Sequence, residues 1–456
     1  MLDDLFDHLQ SLREQPVWRP IPDAVRAAHR TPLPLQPEAL ESVHQTFLSD
    51  ILPYGSGNLH PGFMGWVQGG GTPVGMLAEM LAAGLNANCG GRDHMAIAIE
   101  QEVAGWMSQL FGYSEGASGL FVTGASTANL IGVLSARSLV LGPEVREEGT
   151  IAGQLVAYTS AAAHNCIPRA MEIAGLGRDA LRLIPVNANH QMDLDALADA
   201  IDDDRSVGLT PLVIIGTAGT VDTGAIDDIA GLADLADDEM IWLHIDGAYG
   251  ALGMLTPEIA PRLAGIDRAD SIAFDFHKWG QAPYDAGFIL ARSGERQRDA
   301  FATAVNYLSR ETRGLAGGDW WPCDYGPDLS RGFRALKVWF TFKALGAEAI
   351  GASIAQSCAL ARELAAMIKA SPVLELLAPV QLNIVCFRYR CDDADTVNSA
   401  IIADLQEAGV VAPSQTRIDG KVAIRAALFN HRTERRDIEA LVAGVLARGA
   451  ARTDKP

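Results

Sequence analysis

Cysteine is scarce in this sequence. Six are spread over 456 residues, at positions 89, 166, 323, 358, 386 and 391, and no two form a C-x-x-C pair. A chain of this length buries a core without a disulfide frame, so the thiols read as reduced and the expected location is cytoplasmic. Basic residues are also few: 36 Lys and Arg stand against 56 Asp and Glu, for a net charge of −20. That imbalance argues against nucleic acid and anionic membrane as partners, while a local basic pocket remains open. No uninterrupted apolar run reaches the ~18 residues a membrane helix requires. The opening residues MLDDLFDHLQ lack the basic stretch and apolar core of a secretory signal. No internal repeat or low-complexity tract is present. No Gly-Lys-Ser/Thr follows a small-residue turn, which excludes a Walker loop. His60, His94, His164, His244 and His277 show no H-E-x-x-H or close carboxylate spacing, so no metal is expected.

What is present is alternation. Roughly the first 60 residues are helical pieces interrupted at Pro16, Pro20, Pro22, Pro32, Pro34 and Pro37. Such a segment has little core of its own and is expected to wrap another surface, a partner subunit first. From about 75 to 345, apolar runs alternate with helix-period stretches. The expected strands are Leu120–Thr123, Leu155–Thr159, Leu212–Gly216, Met240–Ile245, Ser271–Phe274 and Gly287–Ala291. The helices between them include Ser126–Leu139, Asn165–Ala174 and Ile229–Ala236. This order predicts an α/β fold with a mainly parallel sheet and helices on both faces. Beyond about 346, strands Leu382–Arg388 and Val422–Phe429 precede helices Asp395–Glu407 and Thr433–Ala447, with Thr433 as N-cap. The expected domains are an arm at 1–65, a large domain at 66–345 and a small α/β domain at 346–456.

Ligands of open α/β sheets bind beyond the carboxyl ends of the strands, and four such ends carry chemistry. Gly124-Ala125-Ser126-Thr127 feeds a helix, and its free N–H groups suit a phosphate; it also reads as plain turn chemistry. His164 follows the next strand, either as a loop residue or as a ring stacked on a flat cofactor. Asp246 ends a strand, either as a helix cap or as the partner of a buried cation such as a protonated pyridine. Lys278 sits among aromatic residues in Asp275-Phe276-His277-Lys278-Trp279. Burial there should depress its pKa and ready the amine for imine formation; the alternative is a lysine whose head reaches solvent. Together these groups fit pyridoxal 5'-phosphate.

Phe276-His277-Lys278-Trp279, with His244-Ile245-Asp246-Gly247-Ala248-Tyr249, resembles the group II pyridoxal-phosphate decarboxylases of aromatic amino acids, histidine and glutamate. The likeness extends through Trp18-Arg19-Pro20, His60-Pro61-Gly62-Phe63, Glu100-Gln101-Glu102, Phe333-Arg334-Ala335-Leu336-Lys337 and Asn430-His431-Arg432-Thr433. It implies the pyridoxal-phosphate transferase fold type I and an obligate homodimer with a swapped N-terminal arm. It implies that Lys278 carries the cofactor as a Schiff base, that His164 stacks on the ring and aids catalysis, and that Asp246 pairs with the ring nitrogen. Ala248 would pack on the ring, Thr220 would lie near it, and Ala125, Ser126 and His277 would hold the phosphate. Trp66, Asn88 and Arg92 would face an amino-acid substrate.

Two segments depart from the family pattern. The family's loop tyrosine aligns with Pro322 or a nearby tryptophan, and Tyr325 stands three residues away as the substitute proton donor. Asn88 and Arg92 occupy positions that are mostly apolar in aromatic decarboxylases, so a polar or acidic substrate is expected. The expected reaction is decarboxylation to an amine. Oxidative deamination to an aldehyde, or cofactor binding without turnover, are the alternatives. The loop 308–330 is expected to close over the site.

Overall fold

The computed structural model describes residues 1–150, 153–302 and 311–453. Twelve strands occur among them: β1 (Phe63–Met64), β2 (Ser118–Val122), β3 (Leu155–Ser160), β4 (Leu181–Ile184), β5 (Thr210–Thr217), β6 (Trp242–Asp246), β7 (Ser271–Asp275), β8 (Gly287–Ala291), β9 (Leu374–Leu376), β10 (Ile384–Tyr389), β11 (Ala412–Ile418) and β12 (Lys421–Ala427). The chain divides into two compact units, Gly71–Ala355 and Met1–Gly70 with Gln356–Pro456. The division falls inside the helix Ala347–Ala370 rather than at 345/346.

The larger unit is built on a seven-stranded sheet of order β2-β8-β7-β6-β5-β3-β4. Its strands run parallel except β8, which is antiparallel to β2 and β7. β6 is buried throughout and β5 from Leu212 onward, as continuous Val/Ile/Leu runs require when both faces are covered. Val213 and Ile215 of β5 pack against Val133, Ile167 and Met171 from helices Ala125–Leu141 and Cys166–Ile173. Gly216, of opposite parity, lies so close to helix Ile229–Asp238 that a Cβ on it would sit 2.6 Å from Leu232. Alternate residues of one strand thus meet helices on opposite faces.

The smaller unit carries a five-stranded sheet of order β1-β11-β12-β10-β9. Its core joins Val385, Phe387 and Ile424 of the sheet to Leu364, Ile401, Leu405 and Leu441 of its helices. The first seventeen residues hold to this unit: Val17 N donates to Gly409 O (2.7 Å), and Arg13 pairs with Asp437 (2.9 Å). Between residues 30 and 55 the chain leaves Leu33, Leu35, Leu40, Val43 and Ile51 exposed.

The structure corrects two local expectations. Thr433 is not an N-cap; its hydroxyl donates to Pro61 O (2.8 Å), and the helix begins at Arg435 behind Asp437, which accepts from Glu434 N (2.7 Å). Four strands escape the sequence reading. β1, β4 and β9 have only two to four residues, and β11 reads Ala-Pro-Ser-Gln-Thr-Arg-Ile, too polar to mark itself by alternation. Among the described residues, no single helix is long and apolar enough to cross a membrane.

Candidate active site at the strand ends

Parallel strands bring their carboxyl ends to one edge, and β3, β5, β6 and β7 deliver the candidates there. Asp246 is the last residue of β6, Lys278 follows β7 by three residues, and His164 follows β3 by four. Lys278 Nζ lies 2.8 Å from Asp275 Oδ2, and Asp275 Oδ1 accepts from Ala125 N (2.7 Å), the first residue of helix Ala125–Leu141. Asp275 therefore ties the lysine to the helix N-terminus proposed as the phosphate cradle. His277 is buried: its Nδ1 accepts from Ala286 N (3.0 Å), its Nε2 lies 3.7 Å from Asp275 Oδ2, and its ring rests on Tyr284. Burial, opposed by Asp275, holds its pKa below the usual imidazole range.

Asp246 is almost fully buried, at 3% exposure. Its Oδ1 accepts from Ala248 N (3.1 Å) and its Oδ2 from the Cys166 thiol (3.8 Å). Burial raises its pKa, and the field of Lys278 and the Ala248 hydrogen bond offset only part of that rise. A buried carboxylate so placed favours a cation brought to it, as a protonated ring nitrogen would be.

The lysine departs from expectation. Burial alone pulls its pKa down, but the field and hydrogen bond of Asp275, aided by Asp246, outweigh burial and leave it above the ordinary lysine value. Asp275 precedes Lys278 by three residues, and the turn after β7 brings its carboxylate against the amine. An amine must shed its proton before it attacks a carbonyl. Covalent capture of the cofactor by the apoprotein should therefore quicken as pH rises toward the lysine pKa. Asp275→Asn removes the group that holds the proton and should move that rise to lower pH; stopped-flow absorbance across a pH series reads it.

The remaining candidates are placed as follows. His164 is exposed and its Nδ1 accepts from Cys166 N (3.2 Å). Ser126 is exposed at the helix start, and its hydroxyl bears on the Cys166 sulfur. Thr220 is buried, its Oγ1 accepting from Ala225 N (3.0 Å) beside Thr223. Asn88 spends its Oδ1 on Gly90 N and Arg331 N (both 3.0 Å), and the Arg92 guanidinium lies over the Trp321 ring at 4.6 Å. Trp66 belongs to the smaller unit, where it stacks on Phe63. Tyr325 packs on Trp320 and against the cluster of Leu120, Val122 and Ile131. Of the loop 308–330, residues 308–310 lie outside the described residues. Among the described residues, no group of three or more His, Cys, Asp or Glu is placed to hold a metal.

The Pyridoxal-dependent decarboxylase conserved domain matches residues 22–390 of this chain. The chain belongs to that family. An aromatic-L-amino-acid decarboxylase of Bacillus atrophaeus is 32% identical over 451 residues, 95% of this chain and 90% of that protein. An L-2,4-diaminobutyrate decarboxylase of Rhizobium meliloti is 31% identical over 366 residues, 78% of this chain and 72% of that protein. The fold matches that of an Oryza sativa protein solved as TDC with PLP and tryptamine. The TM-score is 0.91 at 22% identity, over 99% of this chain and 96% of that one. The architecture is fold type I, the cofactor is pyridoxal phosphate, and the enzyme is a carboxy-lyase acting on amino acids.

For a family member, two supports of the site were hidden from sequence reasoning. Asp275 is one. Glu100 is the other: it is 1% exposed, accepts from Phe121 N (3.0 Å), and receives both terminal nitrogens of Arg331 (2.5 and 3.0 Å). Arg331 also donates to Cys89 O and Phe121 O, so the pair clamps β2 to the segments around 89 and 331. Within the Glu100-Gln101-Glu102 motif, Glu100 is thus a buried structural tie. Glu100→Gln leaves a buried guanidinium without its countercharge and should cost about 3–5 kcal/mol of stability. Urea unfolding of the apoprotein measures it, and Glu100→Leu with Arg331→Met should recover part of the loss.

Proposed function

We propose that this enzyme removes the carboxylate of an L-amino acid with Lys278, Asp246 and His164 as its working residues, and that the product is the amine. The observation that carries this reading is the joint placement of Lys278 and the buried Asp246 at adjoining strand ends, with Asp275 linking the lysine to a helix N-terminus. Bound there, pyridoxal phosphate supplies the sink for the electron pair left when carbon dioxide departs. Lys278 would hold the cofactor through its amine. Asp246 holds a proton at the ring nitrogen, where its carboxylate is worth most because water is excluded. His164 would cover the ring, and Ala248 and Thr220 would bound it. Ala125, Ser126 and His277 would receive the phosphate. His164 or Tyr325 returns the proton to Cα.

The substrate carries a polar or acidic side chain. Arg92 supports this: it makes no ion pair among the described residues, and its guanidinium is presented by a backbone at φ +88°. Asn88 lies beside it in the proposed pocket. The working form is a cytoplasmic homodimer, whose partner covers the exposed Leu33, Leu35 and Leu40 of the arm.

The test is a screen of the common amino acids that reads carbon dioxide and product identity together. Stoichiometric amine from a polar or acidic substrate is the expected result. Aldehyde with ammonia and peroxide would assign the chemistry to oxidative deamination. Preference for an aromatic substrate would remove Arg92 from its role.

A further inference from the structure

Behind Asp246 lies a line of buried side chains that runs from β6 and β7, through helices Ala125–Leu141 and Cys166–Ile173, back to that carboxylate at the end of β6. Trp242 Nε1 lies 2.9 Å from Ser271 Oγ, and Ser271 Oγ lies 2.7 Å from His244 Nδ1. His244 Nε2 lies 2.8 Å from Asn129 Oδ1, Asn129 Nδ2 lies 3.2 Å from Cys166 Sγ, and Cys166 Sγ lies 3.8 Å from Asp246 Oδ2. His244 and Asn129 are wholly buried. Space was made for the ring: a Cβ on Gly132 would sit 2.5 Å from His244 Nδ1.

The line has a direction. An indole nitrogen only donates, so Ser271 Oγ accepts from Trp242. The Ser271 hydroxyl proton then finds its partner in His244 Nδ1. With Nδ1 accepting, Nε2 carries the ring proton and donates to Asn129 Oδ1. The amide is thereby oriented, its Nδ2 donates to Cys166 Sγ, and the thiol proton points to Asp246 Oδ2. The opposite tautomer would leave the Ser271 proton unpaired and turn the amide oxygen toward the thiol, which would take the thiol proton away from Asp246. Buried donors left without partners are costly, and only the first arrangement satisfies every group. The neutral states required are those that burial enforces: the His244 pKa is pushed down to about 3, and that of Cys166, by burial and by Asp246, up to about 12.

We propose that Asn129, His244 and Ser271 are positioning residues that hold the Cys166 thiol as a hydrogen-bond donor to Asp246, and so set how that carboxylate meets the cofactor. The inference rests on Asp246 being the partner of the ring nitrogen. Without the thiol donor, the carboxylate is either more basic or less well aimed. In both cases the ring nitrogen carries less positive charge, and the conjugated Lys278 linkage holds its proton to higher pH. The other groups that face Asp246 are Lys278 and Asp275 from the end of β7 and His164 after β3. None of them is altered by the substitutions below.

The experiment is a pH titration of the visible band of the holoenzyme, without substrate. Cys166→Ala should raise the midpoint by about one pH unit, the scale of a hydrogen bond to a charged group. Cys166→Ser, which keeps a donor, should return it to near the wild-type value. Ser271→Ala frees the His244 tautomer and should move it the same way as Cys166→Ala. On an Asp246→Asn background, Cys166→Ala should add nothing. Ile167→Val, which disturbs the same core cluster, should lower stability and leave the midpoint unmoved. Infrared difference spectra of the apoprotein give a readout free of cofactor: the Cys166 S–H stretch should shift in Asp246→Asn. The proposal is overturned if Asp246→Asn moves the midpoint and Cys166→Ala does not, or if Ile167→Val moves it equally. If Asp246→Asn itself leaves the midpoint in place, the assignment of Asp246 falls, and the positioning role with it.

Discussion

Lys278→Arg should fold, keep its ion pair with Asp275 and lose roughly ten-thousand-fold or more in turnover. The guanidinium preserves the charge that Asp275 needs, since Asp275 is 2% exposed and already spends Oδ1 on Ala125 N. It cannot form an imine. The visible band of bound cofactor should vanish while far-ultraviolet circular dichroism and the unfolding midpoint stay near wild type. Lys278→Ala should lose as much activity and also lose stability, because it leaves the Asp275 carboxylate buried without its cation. The comparison separates chemistry from folding: both variants fail in turnover, and only the second fails in urea. Retention of a tenth of the wild-type rate by either would take Lys278 out of the reaction.

Asp246→Asn carries the second large effect. The amide fits the space and still accepts from Ala248 N, so the fold and most of the cofactor should be retained. An amide does not hold a proton at the ring nitrogen as a carboxylate does, and the loss should be about a hundred- to a thousand-fold in kcat. KM should change little, because the substrate does not touch this group. Steady-state kinetics by amine formation measures the split. A loss seen mainly in KM would place Asp246 at the substrate rather than at the cofactor.

The frame of the large unit could be read from the sequence because its strands are buried on both faces. Continuous apolar runs such as Leu212–Gly216 mark themselves, and the rule that ligands sit beyond the carboxyl ends of strands then points to Asp246 and Lys278. The strands that were missed, β4 with four residues and β11 with its polar run, give neither length nor alternation. The sign of the Lys278 pKa was misjudged for a different reason. Burial can be estimated from aromatic neighbours, but the weight of one charge contact depends on a distance, here 2.8 Å to Asp275, that only the fold supplies. Glu100 and Arg331 show the same limit: they stand 231 positions apart, and nothing local in either segment announces that they form one buried pair. The line from Trp242 to Asp246 draws on residues of four segments, and its direction follows only once every donor and acceptor is counted.

The central claim is that Lys278 holds the cofactor. Reduction of the holoenzyme with borohydride fixes the cofactor where it is bound, and digestion with mass spectrometry locates it. The account predicts one modified peptide, spanning Phe276-His277-Lys278-Trp279, with the mass added on Lys278. A cofactor found on any other lysine, or none retained after reduction of an active preparation, would contradict it.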